Sequence, residues 1–473
     1  MTDVFGRSAE AWAGAHGLPL HLTWLPRVRE NLRAFSGVFR ELYPDGAVRY
    51  AVKASCHPAL LAAVREEGAG ADVASPFEAR AALEAGMDPR ALDLNGNCKE
   101  DALIREAVAR DMLVVADSVE ELALLQAAAT TEGRTARVLL RLSGFELGPV
   151  TGEDIFTAGP WSKFGIPLGE IPGVLAALDT WPALRVLGFH THIGSQITSP
   201  EPYLAVLGRM IDLGADLRAR AGACRILNLG GGFPVNYLDA AGWEAYRRRL
   251  AARDGFCWND GTGGLQPGPD GRLDPGAWRG EAYHSPWPKE AMLRAVLQGE
   301  VRAWGRTLGA RQALAALGGP RLLVEPGRSI VEDAGATLCR VAHVRRTAGG
   351  HAFVTAEMGV LGHGDALLEG LPNRWSVAGG AADPEPFEAF IAGNLCFSGD
   401  LLSRTLVAFH RRPVRGDLLV ARDTGAYTSH FIASNANAYP RMPRILLHGD
   451  GRETVMAERD RYEGLFPQPQ GKR

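Results

Sequence analysis

Over most of the first 330 residues, short apolar runs alternate with longer stretches whose apolar residues recur every three or four positions. The runs are AVRYAVKAS (47–55), GADVAS (70–75), LDLNG (92–96), LVVADS (113–118), RVLLRLS (137–143), VLGFHTHIG (186–194), RILNLGGG (225–232) and RLLVEPG (321–327). Each reads as a strand. The segments between them, such as PFEARAALEAG and KEDALIREAVAR, have the spacing of amphipathic helices. Eight β-then-α units in series predict a parallel (β/α)8 barrel of the TIM type. An open doubly wound sheet has the same periodicity, and periodicity does not show closure.

Two connections are long. The first, 144–185, contains TAGPWSKFGI and reads as a loop plus a helix over the barrel mouth. The second, 233–320, holds a stretch rich in Gly, Pro and Trp around 250–290, too irregular for a helix or strand. It is either an insertion that acts as a lid or a surface loop without a role. After residue 335 the pattern changes to strand-like pieces broken by Gly and Pro turns, which predicts an antiparallel β domain. The expected division is 30–334 for the barrel and 335–473 for the β domain. An N-terminal segment, 1–29, lends that domain a strand from LPLHLTWL (18–25).

Composition narrows the function classes. With 46% hydrophobic and 22% charged residues the chain is globular, and a formal charge of −3 points to no nucleic-acid partner. No apolar run has the length of a membrane span, and the N-terminus lacks the pattern of a secretory signal. Cys56, Cys98, Cys224, Cys257, Cys339 and Cys396 are scattered without a CxxC pair, so the expectation is reduced thiols in a cytoplasm and no metal site.

The chemistry starts from Lys53. Only five lysines occur among 51 basic residues, yet one interrupts the first strand run. In (β/α)8 enzymes the active site lies at the C-terminal ends of the strands. Lys53, Asp72, His192, Gly230–Gly232, Glu325 and Arg328 all fall there. Backbone N–H groups of the glycines can turn toward an anion, and Arg328 offers a forked cationic donor beside them. A phosphate together with a buried lysine points to pyridoxal phosphate with Lys53 as its Schiff-base residue, since desolvation deprotonates an amine for attack. A carboxylate at Glu325 would keep the pyridine nitrogen protonated. The His192 ring would stack on the cofactor. The plain structural alternatives are a salt-bridged lysine, a core histidine and a tight glycine turn.

These residues lie in segments that resemble the fold-type III pyridoxal phosphate decarboxylases, the family of diaminopimelate and ornithine decarboxylases. The segments are GLPLHL (17–22), YAVKAS (50–55), ADVASPFE (71–78), LNGNCKE (94–100), VVADSVEEL (114–122), SKFGI (162–166), GFHTHIGSQ (188–196), NLGGGFP (228–234), EPGRSIV (325–331), LCFSGDLL (395–402) and GAYTSHFIASNANAYPR (425–441). The resemblance implies an alanine racemase-like barrel followed by a C-terminal antiparallel β-barrel. It implies that Lys53 holds the cofactor, that His192 stacks on it, and that Glu325 pairs its ring nitrogen. Ser195, Gly230, Gly231, Gly232 and Tyr427 would contact the phosphate, and Arg328 the phosphate or a substrate carboxylate. Asp72 and Arg141 would support the ring oxygen and Lys53. Cys396 and Asp400 match a CxSGD motif that reaches the partner's site in a homodimer with shared active sites, where Cys396 would return a proton to the substrate carbon and Asp400 would bind the substrate.

The departures concern substrate. The residue after the motif cysteine is acidic in the family and receives a distal ammonium; here it is Phe397. The Arg-Pro-x-Leu-Tyr segment for diaminopimelate is replaced by LGHGDALLEGLPNRW (361–375), where Arg374 remains a candidate for an anion. The long connection adds Trp258, Trp278 and Trp287. Burying an unpaired ammonium is costly. The expected substrate is therefore a neutral, apolar or carrier-presented amino acid rather than diaminopimelate, ornithine or lysine. Two alternatives stay open: a racemase, which Glu325 opposes because related racemases place an arginine there, and a non-catalytic homologue, which would be expected to lose Lys53 or Cys396. A glycosidase would need two facing carboxylates and leaves Lys53 unexplained.

Overall fold

The computed structural model describes residues 2–147, 157–252, 283–364, 371–428 and 436–466. Most of the 250–290 stretch, with Trp258 and Trp278, lies outside the described residues, as do 365–370 of the altered substrate segment. The chain forms two compact units. One comprises Arg29–Val235 and His284–Ile330, the other Met1–Val28, Asn236–Tyr283 and Val331–Arg473.

In chain order, strand β1 (Leu20–Trp24) belongs to the second unit. The first unit holds β2 (Gly46–Ala51), β3 (Gly70–Val73), β4 (Leu92–Leu94), β5 (Leu113–Ala116), β6 (Ala136–Ser143), β7 (Leu184–His190), β8 (Ile226–Asn228) and β9 (Arg321–Val324). Every predicted run is one of these strands. Each pairs in parallel with the next, from β2 through to β9. Strand β9 then returns to β2 with Leu322 opposite Gly46, so the barrel is closed and the doubly wound alternative falls.

Closure sorts the strand residues by period two. Leu113, Val115, Leu139, Leu187, Ile226 and Leu323, with Ala47 beside them, form one apolar cluster inside the barrel. Two residues further along several of the same strands come Arg49, Asp117, Arg141, Asn228 and Glu325, all buried. The barrel thus has an apolar floor and a polar layer above it, toward the C-terminal ends. Loops are set by local capping: Ser75 accepts the Glu78 N–H and Ser118 the Glu121 N–H, each at 3.2 Å. Each glutamate reaches back in turn, to the N–H of Ala74 or Asp117 at 2.7 Å.

The second unit is a sheet of β1 with β10 (Gly335–Arg346), β11 (Ala352–Ala356), β12 (Arg374–Val377), β13 (Phe387–Ala392), β14 (Leu401–Phe409), β15 (Leu418–Arg422), β16 (Arg444–Leu447) and β17 (Glu453–Ala457). Its order is β14-β13-β11-β10-β1-β16-β17, with β15 pairing both β10 and β12. Most pairs are antiparallel, as expected. Two are parallel, β11 with β13 and β1 with β16, because these strands come together through long connections rather than hairpins. No described helix is long and apolar enough to cross a membrane.

Two neutral histidines are buried in this sheet unit. His21 Nδ1 lies 3.0 Å from Thr337 Oγ1, and burial, with Arg444 and His363 nearby, pushes its pKa down to about 3. His363 Nε2 lies 2.8 Å from Asn373 Oδ1, and burial takes it to about 4 against the pull of that bond. The unfolded chain binds these protons near 6.5, whereas the folded chain binds them only near 3 and 4. Stability is therefore full above 6.5 and falls with pH at roughly 1.4 kcal/mol per unit for each ring. Asp400, raised by burial, acts with the opposite sign. We expect the melting temperature to drop between about pH 7.5 and about pH 5, and His363→Gln to shrink that drop. An unchanged drop in the variant would rule this linkage out.

Candidate active site

The barrel strands bring Lys53, Asp72, Arg141, His192, Ser195, Gly230–Gly232, Glu325 and Arg328 into one unit, at or just beyond the C-terminal strand ends. Arg374, Cys396, Phe397, Asp400 and Tyr427 belong to the other unit.

Lys53 differs from expectation. Strand β2 stops at Ala51, and Lys53 stands in a single 3₁₀ turn, Val52–Ala54, with Val52 and Ala54 buried and the lysine itself exposed. A three-residue turn points consecutive side chains in different directions, so two apolar neighbours anchor the loop while the amine faces out. Its charge acts on Asp72, Glu78, His192 and Glu325.

Glu325 is buried and has two side-chain partners. Asn228 Nδ2 donates to Oε1 at 2.7 Å, and Oε2 lies 3.1 Å from His190 Nε2. Burial pushes its carboxyl up from 4.5 to about 7, against the downward pull of Asn228, Arg141, Lys53 and Arg49. Asp72 is also driven well above the usual carboxylate range, by burial and then by the charge of Glu325, with Lys53 opposing. Its Oδ1 is buried and, among the described residues, has no hydrogen-bond partner. Orphaned acceptors of this kind are rare in folded interiors and mark a place meant for a donor.

His192 is half-buried, and burial followed by the charges of Lys53, Arg141 and His190 holds it well below 6.5, so the ring is neutral. Its Nδ1 accepts the Gly231 N–H at 3.0 Å, which fixes the ring's orientation and places its proton on Nε2. Arg141 donates to Asp117 at 3.1 Å and lies over the Phe164 ring, 4.3 Å from its centroid, which gives the SKFGI segment a role. Asp117 connects through its N–H to Glu121, which holds the buried Lys99 at 2.7 Å.

The glycine loop corrects another expectation. Two of its three N–H groups are already engaged: Gly230 donates to Asn228 Oδ1 at 2.9 Å and Gly231 to His192. Among the described residues only the Gly232 N–H of the three has no partner. The glycines are needed for closeness instead. A Cβ on Gly231 would stand 2.6 Å from the Glu325 carbonyl and 3.2 Å from His192 Cε1, and one on Gly230 (φ 67°) would strike the Thr191 carbonyl. Arg328 is buried just after β9, and Ser195 is half-buried in the loop after β7.

In the sheet unit, Asp400 is buried and both carboxylate oxygens accept backbone N–H groups, from Val360 and Leu395, at 2.6 Å. That corrects its expected place as a substrate ligand: its acceptors are occupied in pinning the segment that carries Cys396. Arg374 is likewise committed, forming a two-point ion pair with Asp423 rather than offering a free fork. Cys396 and Phe397 are exposed, Phe397 at 44%. The Cys396 N–H donates to Asn437 Oδ1 at 3.3 Å. Tyr427 is half-buried with φ 58°, a conformation that bulky side chains rarely adopt and that tends to occur at functional positions.

Residues missed from sequence are Asn95, His190 and Asn228, which hold Glu325 and Arg141. Each sat inside a quoted motif, and the available signal was the period-two register: Asn228 and Glu325 each lie two residues beyond a floor residue.

The site is consistent with pyridoxal phosphate on its own geometry: an exposed lysine, an orphaned acid at Asp72, a buried acid at Glu325 and a side-chain-free loop. Comparison with known proteins agrees. Residues 27–254 match the family model described as pyridoxal-dependent decarboxylase, pyridoxal binding domain. A diaminopimelate decarboxylase of Methanothermobacter thermautotrophicus is 28% identical over 98% of this chain and 94% of its own. An uncharacterized protein of Sinorhizobium fredii is also 28% identical, over 94% of this chain and 92% of its own. The crystal structure of a diaminopimelate decarboxylase from M. jannaschii in complex with L-lysine superposes with a TM-score of 0.79 at 23% identity, covering 98% of this chain and 95% of that one.

Proposed function

We propose that this chain is a fold-type III pyridoxal-dependent amino-acid decarboxylase, like the relatives it resembles over most of its length, and that it removes the α-carboxylate of an amino acid whose side chain is neutral. Pyridoxal phosphate, when bound, supplies the sink for the electron pair left as CO₂ departs. Lys53 is the group that anchors it covalently, and Glu325 the group that faces its ring nitrogen. The neutral His192 ring packs against the cofactor face, its orientation held by Gly231. The Gly232 N–H, Ser195 and Arg328 receive the phosphate. Asp72 and Arg141 support the ring oxygen and Lys53. Cys396, carried by the partner subunit of a homodimer on a segment that Asp400 pins, delivers the proton that replaces the carboxylate.

The observation that carries the substrate reading is Phe397. It follows Cys396 on the same pinned segment and presents an apolar ring where the resemblance calls for an acid. An ammonium arriving there finds no counter-charge, and an unpaired buried cation is penalised by several kcal/mol. Arg374, the remaining cation of the altered segment, is paired with Asp423. The diaminopimelate decarboxylases among the relatives favour the second reading, a dibasic substrate. Both are separated by measuring CO₂ release from a panel of L- and D-amino acids with basic, acidic, aliphatic, aromatic and ureido side chains. Release from a neutral side chain is expected. Release confined to diaminopimelate, ornithine or lysine overturns the substrate reading and leaves the decarboxylase standing. Phe397→Glu is expected to raise kcat/KM for a dibasic substrate on the order of ten- to a hundred-fold, the value of one charged hydrogen bond, about 1.5–3 kcal/mol.

A further inference from the structure

Behind Glu325 the hydrogen bonds leave little freedom about where protons sit. The Asn95 amide is oriented by two unambiguous donors, since its Oδ1 accepts the Gly96 N–H at 3.0 Å and Arg141 at 3.4 Å. Its Nδ2 therefore points an N–H at His190 Nε2, 3.2 Å away. The Asn228 amide is oriented in the same manner. Its Oδ1 accepts the Gly230 N–H at 2.9 Å, so Nδ2 donates to Glu325 Oε1 at 2.7 Å. Oε1 is thus an acceptor, and only Oε2, 3.1 Å from the same His190 Nε2, is left to carry a proton.

We propose that Asn95 and His190 are positioning residues that hold Glu325 as a protonated acid before the cofactor arrives, with the proton on Oε2. If Nε2 carried the imidazole proton, it would face the Asn95 N–H directly, two donors in a buried site. With the proton on Nδ1, Nε2 presents a lone pair to both Asn95 and the Glu325 hydroxyl. A lone pair shared by two donors is better than two donors opposed. Among the described residues the buried His190 Nδ1 has no hydrogen-bond partner under either tautomer, as N–H or as lone pair, so the contact at Nε2 decides. The surrounding charges are mixed. Arg141, Lys53 and Arg49 favour an ionised Glu325, while Asp72 and Asp93 oppose it. Around His190, Arg141 and Lys99 oppose a charged ring while Asp93 and Asp117 favour one. Burial is the largest influence on both groups and pushes each toward its neutral form, the acid by raising its pKa and the imidazole by lowering it.

A ring nitrogen brought to Glu325 then meets an acid. The Oε2–H bond breaks, an N–H bond forms on the ring, and the carboxylate left behind is the counter-charge that keeps it there. For a ring that arrives unprotonated, the chain itself thus supplies the proton that makes the ring an electron sink. This second step rests on the reading of Glu325 as the ring-nitrogen partner; the protonated state before loading does not.

Infrared spectroscopy tests both on the full-length chain, because the carbonyl stretch of a carboxylic acid is separate from carboxylate bands. At neutral pH the cofactor-free chain is expected to show an acid band that Glu325→Gln removes, which assigns it against the neighbouring Asp72. Asn95→Ala is expected to lower the pH at which this band disappears by about one unit. Loading pyridoxal phosphate should bleach the band. Absence of a Glu325 acid band from the wild-type chain, a measurement that needs no Asn95 variant, overturns the proposal. So does a band whose titration Asn95→Ala leaves in place. A band that is present, responds to Asn95, but survives loading upholds the protonated state and overturns the ring-nitrogen assignment instead.

Discussion

Lys53→Ala is expected to abolish CO₂ release by at least a thousand-fold, about 4 kcal/mol of transition-state stabilisation, and to abolish the absorbance of covalently held cofactor. Among the described residues no other lysine is placed to replace it. Lys99 Nζ is fully buried between Glu121 and the Gly96 carbonyl, both at 2.7 Å. Lys289 donates to Asn31 at 3.0 Å and Lys163 lies over Phe164 at 5.0 Å, while Lys472 lies outside the described residues. Because Lys53 is exposed and Val52 and Ala54 anchor its turn, the substitution should change stability by no more than about 0.5 kcal/mol. Activity and cofactor absorbance measured beside a thermal melt make the test. Loss of activity with an intact melt supports the anchor, and cofactor absorbance retained by the variant rules it out.

The barrel was legible because its strands are short and buried on both faces, which gives near-continuous apolar runs, while the helices between them show one wet face. In the structure the punctuation comes from capping serines: Ser75 and Ser118 start helices directly after β3 and β5. Closure was not legible. It depends on β9 lying beside β2, a pairing between residues nearly three hundred positions apart that leaves no local pattern. The two parallel pairs of the sheet unit were hidden for the same reason, since β1 and β16 come from opposite ends of the chain.

At the site, residue type singled out Lys53, Glu325, His192 and Asp72 as candidates, because an ionisable group at a strand end is unusual whatever surrounds it. Occupancy could not be read. Sequence offered Gly230 and Gly231 as anion donors, Asp400 as a ligand and Arg374 as a free cation, and in each case the acceptor or donor is already engaged nearby. Hydrogen-bonding capacity is a property of position, and a carboxylate whose two oxygens bind Val360 and Leu395 has the same letter as one that binds substrate. Asn95 and Asn228 escaped for the converse reason. An amide has no charge to draw notice, yet its fixed donor and acceptor ends make it the more exact orienting group.

Glu325→Gln separates what the site gains from this residue from what the fold loses by it. Glutamine keeps the size and an oxygen for the Asn228 donor, but its amide neither ionises nor yields a proton. We expect the cofactor to bind and kcat to fall on the order of a hundred- to a thousand-fold, about 3–4 kcal/mol, since the ring proton loses its counter-charge. The same substitution should stabilise the cofactor-free chain at alkaline pH. Glu325 has its folded pKa raised from 4.5 to about 7 by burial, so its contribution to stability is intact below 4.5 and is lost as pH rises through 7. A neutral amide carries no such penalty. Above neutrality the variant should therefore melt higher than the wild type, and near about pH 4 the difference should vanish. A variant that is both slower and less stable at high pH would mean that Glu325 serves only to fill and bond its corner of the barrel. A slower enzyme that is more robust at high pH would identify a buried acid kept at the expense of the fold because the chemistry requires it.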